Sequence, residues 1–218
     1  MPRVKGKEPL TQARILKVAV QYADKHGLEQ LSIREIARQL KAGPMSLYHH
    51  FENKDDLLDA MVEFVAQKIR SPGSDAHWRE GIIEIASSAH GAMLKHPWVC
   101  AIWSQRQLGP HKMAYMESLL RVLREGGFSV SDAYDAYCAI TVHIEGAGMQ
   151  AAGFPLDPKE YKSAATGFLE SFEQVDQIPY FVQQLKHIME NSTETDHFLM
   201  TLEMILDGFA SRAGLLPS

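Results

Sequence analysis

The 218-residue sequence predicts an all-α protein, and three observations predict it. Apolar residues recur at spacings of three and four along almost the whole chain, the signature of helices that each bury one face. Clusters of Gly and Pro at 71–74, 109–110, 126–127 and 153 cut this pattern into helix-length pieces, and no stretch of useful length alternates apolar with polar residues as a half-buried strand does. Residues 32–54, finally, read as two short helices joined by a tight turn and followed by the start of a third.

In chain order, Thr11 can cap a first helix to about His26, with Ile15, Leu16, Ala19, Tyr22 and Ala23 on one face and Gly27 as its stop. The second helix starts at Ser32, which with Glu35 has the spacing of a reciprocal capping box. Ile33, Ile36, Ala37 and Leu40 form its inward stripe, leaving Arg34, Glu35, Arg38 and Gln39 on the other faces. Lys41-Ala42-Gly43 makes the turn, and Pro44 suits the first position of a third helix running to about His50. Leu47 and Phe51 anchor that helix, with Met45, Ser46, Tyr48, His49 and His50 near or on its outer side. Asn53 caps a long helix that reaches about Arg70, with Leu57, Leu58, Met61, Phe64, Val65 and Ile69 inward. Further helices are expected at about 77–95, 97–107, 111–125, 130–152, 158–172, 179–190 and 195–213. The expected organisation is an N-terminal helix-turn-helix unit over 1–60 and a larger helical unit over 61–218.

A short amphipathic helix pair is by itself more often ordinary packing than a nucleic-acid reader. The order of residues here is more specific. Leu47-Tyr48-His49-His50-Phe51, followed by Asn53-Lys54-Asp55-Asp56-Leu57-Leu58, resembles the DNA-binding domain of the TetR family of bacterial transcriptional regulators, over about residues 10–60. The resemblance implies DNA contacts at Arg34, Met45, Ser46, Tyr48, His49, His50 and Lys54, with Met45 and Ser46 nearest the end that enters the major groove. Tyr48 can instead close the small core, and His49 and His50 can equally be solvated. The chain departs from the family's usual Gly-Val in the turn, where it has Lys41-Ala42, and Lys41 can add a phosphate contact.

Charge points the same way. Up to Lys54 the chain carries a net +5 and beyond it a net −10, so a basic end sits on an acidic body and attraction to phosphates is confined to one place. Arg3, Lys5 and Lys7 form a basic arm suited to tracking a groove or phosphates. An apolar content of 45% is ample for a core. No apolar run is long enough for a membrane span and the basic start lacks the apolar stretch of a secretory signal, which places the protein in the cytoplasm. Cys100 and Cys138 have no metal-ligand spacing and read as reduced core residues. Neither metal nor cofactor is expected.

The last helix carries Phe198, Leu202, Ile205 and Phe209 at helical spacing with Gly208 among them, and the helix from Val130 carries Tyr137, Ile144 and Gly148. Periodicity alone leaves an intrachain core and a subunit interface equally open. Similarity to TetR regulators implies homodimerisation through such a pair, which would set two reading helices on a palindromic double-stranded operator. Trp78, Met93, Trp98, Trp103, Met113, Tyr115 and Met116, with Met149 and Phe154 further on, are spaced as core residues. In that family the larger domain encloses an apolar cavity, so the resemblance implies that some of them line a site for a small apolar effector, with His90, His96, His143 and Glu145 as candidate polar fixers. Two other classes compete. A di-metal enzyme would need paired Glu-x-x-His motifs, and only Glu194-Thr195-Asp196-His197 has that spacing. An architectural DNA binder would explain the basic head but not the large acidic body. The sequence therefore reads as a ligand-responsive regulator, a repressor with no catalytic residues.

Overall fold

The computed structural model describes residues 9–73, 76–153, 160–172, 175–190 and 196–215. Among the described residues it is entirely helical: α1 Gln12–His26, α2 Ile33–Gln39, α3 Pro44–Tyr48, α4 Lys54–Ala66, α5 Trp78–Lys95, α6 Pro110–Glu125, α7 Val130–Gly153, α8 Tyr161–Ser171, α9 Pro179–Glu190 and α10 His197–Ala213. Short 3₁₀ turns occur at Pro97–Val99, Trp103–Gln105 and Val175–Gln177. The Arg3-Lys5-Lys7 arm, Phe154 and Glu194-Thr195 lie outside the described residues.

In the N-terminal unit the Thr11 hydroxyl accepts from the Arg14 amide and Gly27, at φ 77°, ends α1 in a conformation that disfavours side chains. Only half of the expected capping box forms at α2. Ser32 Oγ accepts from the Glu35 amide at 3.1 Å, but the Glu35 carboxylate turns outward to Arg38, at 2.6 and 2.9 Å, and to Gln39 at 2.8 Å. Hydrogen bonds from Arg38, then Gln39, hold its carboxyl down at about 2. In the turn Lys41 adopts the left-handed φ of 53°, so the backbone keeps a glycine-like shape at a cost on the order of 1 kcal/mol. Helix α3 ends at Tyr48, with His49 as its cap, short of the expected His50. Ile15, Ile36, Leu47, Phe51 and Leu57 close the core beneath it.

Helix α4 stops at Ala66 rather than near Arg70. Two single turns, Lys68 N–H to Val65 O and Ile69 N–H to Ala66 O, carry the chain on. The helix expected over 97–107 is replaced by the two 3₁₀ turns. Pro97 disfavours the helical region for His96, which sits at φ −129°, ψ 66°. The buried Lys112 ammonium then takes the carbonyls of Trp103 and Arg106; a continuing helix would have used the first, while the second would have faced Pro110, which has no N–H to give.

Helices α5, α6, α7 and α10 build the body, with α5 and α7 in its middle, and α4 packs against both α1 and this body through α6 and α5. Helices α7 and α10 run antiparallel: Arg212 near the end of α10 pairs with Asp132 and Asp135 at the start of α7, at 2.7 and 2.8 Å, while His143 further along α7 meets Phe198 at the start of α10. Helices α8 and α9 pack chiefly on each other, with Phe168 stacked on Phe172 and edge-on to Phe181. A single apolar cluster runs from Ile15 of α1 to Ala210 of α10, so the N-terminal unit and the body share one core.

Candidate DNA-reading face and regulatory core

The outer face of α3 is open. Met45 is 71% exposed and Tyr48 44%, Ser46 and His49 are exposed, and His50 is half-buried. An apolar side chain of that exposure, next to a hydroxyl and imidazoles, suits contact with base edges and thymine methyl groups. Arg34 and Lys41 are also exposed on the adjoining α2 and turn. Lys54 is exposed in the first turn of α4, with its ammonium 3.5 Å from the Leu28 carbonyl. The start of α4 is not a bare cluster of amides, however: Asn53 Oδ1 accepts from the Asp56 amide and the Asp56 carboxylate accepts from the Glu52 amide. Any phosphate contact there therefore falls to the Lys54 ammonium more than to the helix dipole.

Three polar joints tie this head to the body. Asp24 of α1 accepts from His96 Nδ1 at 2.8 Å and from Trp98 Nε1 at 2.7 Å. Glu63 of α4 accepts from the amides of His111 and Lys112 at 2.8 and 3.0 Å, a side-chain cap lent by one helix to the start of α6. Gly109 is required there, because a Cβ would overlap the Glu63 side chain. Arg106 pairs with Asp55 at 2.7 Å and lies 3.7 Å from Asp59. The acidic edge of α4, at Asp55, Asp59 and Glu63 on successive turns, is thus the face the body holds.

The candidate effector residues do not converge on one place. Trp78 opens α5 and Trp98 lies past its far end, with about 26 Å of helix between Trp78 and Lys95, so they cannot line one small pocket. Trp78 packs edge-on to Phe128 with centroids 5.0 Å apart, beside an open groove of about 490 Å³ formed with His77, Arg121 and Leu215. Trp98 and His96 belong to the Asp24 joint, and Met93 is core. His90 and His143 sandwich the Phe198 ring, centroids 4.0 and 4.8 Å away, and His143 Nε2 donates to the Phe198 carbonyl. Burial lowers the His90 pKa, against an opposing pull from Asp196. Trp103 lies edge-on to Tyr115 at 5.8 Å, Met116 is half-buried on α6, Glu145 is half-buried on α7 with its charge felt by Tyr115, and Met113 is 50% exposed.

The stripe proposed for dimerisation is turned into the chain. Ile144, Gly148, Phe198 and Leu202 are buried, and Tyr137, Ile205 and Phe209 are half-buried against the same core. The cause is close approach within the chain: a Cβ on Gly148 would sit 2.8 Å from Cys100 Sγ and 3.3 Å from Met93 Cβ. The opposite faces are open and apolar. Val142, 71% exposed, and Met149, 57%, flank Gly146 on α7, and Met200, 45%, and Met204, 66%, precede Gly208 on α10. A Cβ on either glycine would meet nothing within 4 Å.

Asp24, Glu63, Arg106 and Lys112 make the joints that sequence reasoning missed. Two signals were available. Asp55, Asp59 and Glu63 recur every fourth residue on one helix edge, and Lys112 is a cation in the first turn of a helix beginning at Pro110, where the dipole disfavours it.

Residues 15–61 match the family described as bacterial regulatory proteins, tetR family, and residues 71–213 match that of the tetracyclin repressor-like C-terminal domain. The chain is 32% identical over 218 residues to the HTH-type transcriptional repressor DrrR1 of Streptomyces coeruleorubidus, covering 94% of this chain and 79% of that protein. It is 37% identical over 139 residues to an HTH-type transcriptional regulator of Saccharopolyspora erythraea, covering 63% of this chain but only 59% of that relative's length. Among solved structures, ActR of Streptomyces coelicolor in complex with actinorhodin superposes with a TM-score of 0.74 at 29% identity, over 94% of this chain and 99% of that one.

Proposed function

The chain belongs to the TetR family of bacterial transcriptional regulators, and from that premise we propose that it is a homodimeric repressor whose operator affinity is set by a small, mostly apolar effector. The observation that carries the reading is the pairing of an exposed reading helix with a body that grips α4, the helix directly behind it, through Glu63, Arg106 and the Asp24 joint. Residues 1–60 read DNA and residues 61–218 bind effector and partner. Met45 and Ser46 face base edges, while Arg34, Lys41, Tyr48, His49, His50 and Lys54 serve the phosphates and groove walls.

Two copies associate through the outer faces of α7 and α10. Val142, Gly146 and Met149 lie at four- and three-residue spacings on one stripe, Met200, Met204 and Gly208 at four-residue spacings on the other, and the two glycines admit close helix approach. Burying these methionines and the valine against a second copy removes an apolar surface that a monomer would leave in water. Pairing also places two reading helices on one duplex, which matches a palindromic operator with half-sites about one turn apart.

An effector seated between α6 and α7 acts on α4 through Glu63 and the segment that holds Arg106. Tilting α4 by a few ångströms changes the separation of the two reading helices and spoils simultaneous docking. Reciprocity follows: operator must weaken effector binding by the factor by which effector weakens operator binding. ActR was solved with actinorhodin bound and DrrR1 is named a repressor, which supports a small-molecule effector and a repressing role here. Among the described residues no group of three or more His, Cys, Asp or Glu is placed to hold a metal ion. Among them, too, no helix is long and apolar enough to cross a membrane.

The test is a titration of the protein against duplexes taken from around its own gene and against random duplexes of equal length, at several salt concentrations. Saturable binding of one duplex at least about 10³-fold tighter than random is expected. Equal affinity for all duplexes would overturn the reading.

A further inference from the structure

Among the described residues, two buried side-chain polar atoms lack a hydrogen-bond partner, and both lie in one joint between head and body: Arg106 Nε and Asp59 Oδ1. One is a donor on a cation and the other an acceptor on an anion. Arg106 Nη1 instead bonds Asp55 Oδ1 at 2.7 Å, on a side chain that is 75% exposed, and stays 3.7 Å from Asp59 Oδ1. Asp55 and Asp59 are one turn apart on the same edge of α4, so a single guanidinium stands between two seats. The outer seat has the short bond but lies in water, where an ion pair adds little. The inner seat would give both orphaned atoms a partner, and an unmet buried donor or acceptor is costly. Closing the 3.7 Å gap takes a shift of about 1 Å, within reach of a small slide of α4 past the segment that carries Arg106. That segment is held from the body, where Lys112 of α6 donates to the Arg106 carbonyl at 3.1 Å.

Resting on the reading that the start of α4 meets operator phosphates through Lys54, we propose that Arg106 is a two-position latch that sets operator affinity. Seated on Asp55, it holds α4 in the arrangement that reads DNA and cancels an acidic charge one residue from Lys54. Seated on Asp59, it fixes α4 in a displaced position and leaves the Asp55 carboxylate bare. Neighbouring residues lie within the screening length of about 8 Å at physiological salt, so that charge is felt at the Lys54 contact. Displacement and charge then act in the same direction, against operator. Arg106 is a positioning residue in this scheme and has no need to touch DNA. An effector that moves α6 moves the Arg106 backbone through Lys112, and so changes the seat.

The experiment takes the duplex that the full-length parent prefers over random DNA and measures its binding by fluorescence anisotropy to the parent, Asp55→Ala, Asp59→Ala and the double variant. Thermal unfolding confirms that each protein is folded. If Asp55 were only a surface acid, its removal would tighten binding by lifting a repulsion. The latch predicts the opposite sign: Asp55→Ala sends Arg106 to Asp59 and weakens operator binding about fivefold or more. Asp59→Ala removes the inner seat and should bind operator at least as tightly as the parent. The double variant, with no inner seat to capture Arg106, should recover to within about threefold of the parent. In heteronuclear NMR the Arg106 Nε–H signal, assigned through its loss in Arg106→Lys, should move downfield and exchange more slowly with water in Asp55→Ala, as a newly formed hydrogen bond requires. Operator affinity for Asp55→Ala equal to or tighter than the parent's, a double variant no better than Asp55→Ala, or an unchanged Nε–H signal overturns the proposal while leaving the regulator reading intact. A parent protein that prefers no duplex removes that reading and the latch with it.

Discussion

Replacing Glu63 by alanine removes the side chain that caps the start of α6 and cuts one of the three joints between head and body. The carboxylate accepts from the His111 and Lys112 amides at 2.8 and 3.0 Å. Loss of a helix cap costs about 1 kcal/mol, and ionised acceptors are roughly twice as strong, so about 1–2 kcal/mol is the expected loss at this partly exposed site. For a chain of this size that lowers Tm by about 2–8 °C, read by circular dichroism. Glu63→Gln, which keeps an acceptor but not the charge, should fall about midway. Gly109→Ala should reproduce the loss, because its Cβ would enter the space of the Glu63 side chain. Since both changes break one contact, the double variant should be little worse than either single one. A Tm within about 1 °C of the parent for Glu63→Ala, or fully additive losses in the double variant, would refute the cap.

Other perturbations separate the remaining parts of the account. Leu202→Glu puts a carboxylate at a site with 0% exposure and should unfold the chain, whereas Met204→Glu, at 66% exposure, should leave a folded monomer by light scattering; a Met204→Glu dimer as tight as the parent's would rule out the outer face of α10 as the interface. Lys54→Ala should weaken binding to all sequences alike and lower the salt slope by about one, while Met45→Ala or Ser46→Ala should change which sequence is preferred; equal loss on specific and random duplexes would remove them from base reading. The Glu35 carboxyl should titrate near 2 by NMR, not near its ordinary 4.5. Because the folded value is depressed, what Glu35 adds to stability is complete above about 4.5 and fades as the pH falls toward 2, so parent and Glu35→Gln should converge in stability at the acid end of that window, and a gap that widened there would contradict the pairing with Arg38.

Local signals made most of the fold legible. Thr11, Ser32 and Asn53 cap helices as their side chains suggest, and Gly27 and Pro110 bound helices where glycine and proline should. The errors arose where tertiary contacts overrode local preference. Nothing local to 97–107 reveals that Lys112, from the next helix, takes two of its carbonyls. Inward and outward stripes on α7 and α10 are both apolar, so periodicity found the buried one, with Leu202 and Ile144, and passed over Val142 and Met204. Gly148 did mark a close approach, though to Cys100 of the same chain rather than to a partner. At the site, the exposed outer face of α3 was visible in consecutive residues from Met45 on, whereas the joints pair residues such as Asp24 and His96 that only folding brings together.

Footprinting on DNA from around the gene tests the central claim most directly, because it reports specificity and dimeric docking together. The account predicts a discrete protected site of two inverted half-sites about one helical turn apart, occupied cooperatively and lost with Met204→Glu. Protection that spread in proportion to fragment length, with no bounded site at any protein concentration, would contradict it and mark the chain as an architectural DNA binder.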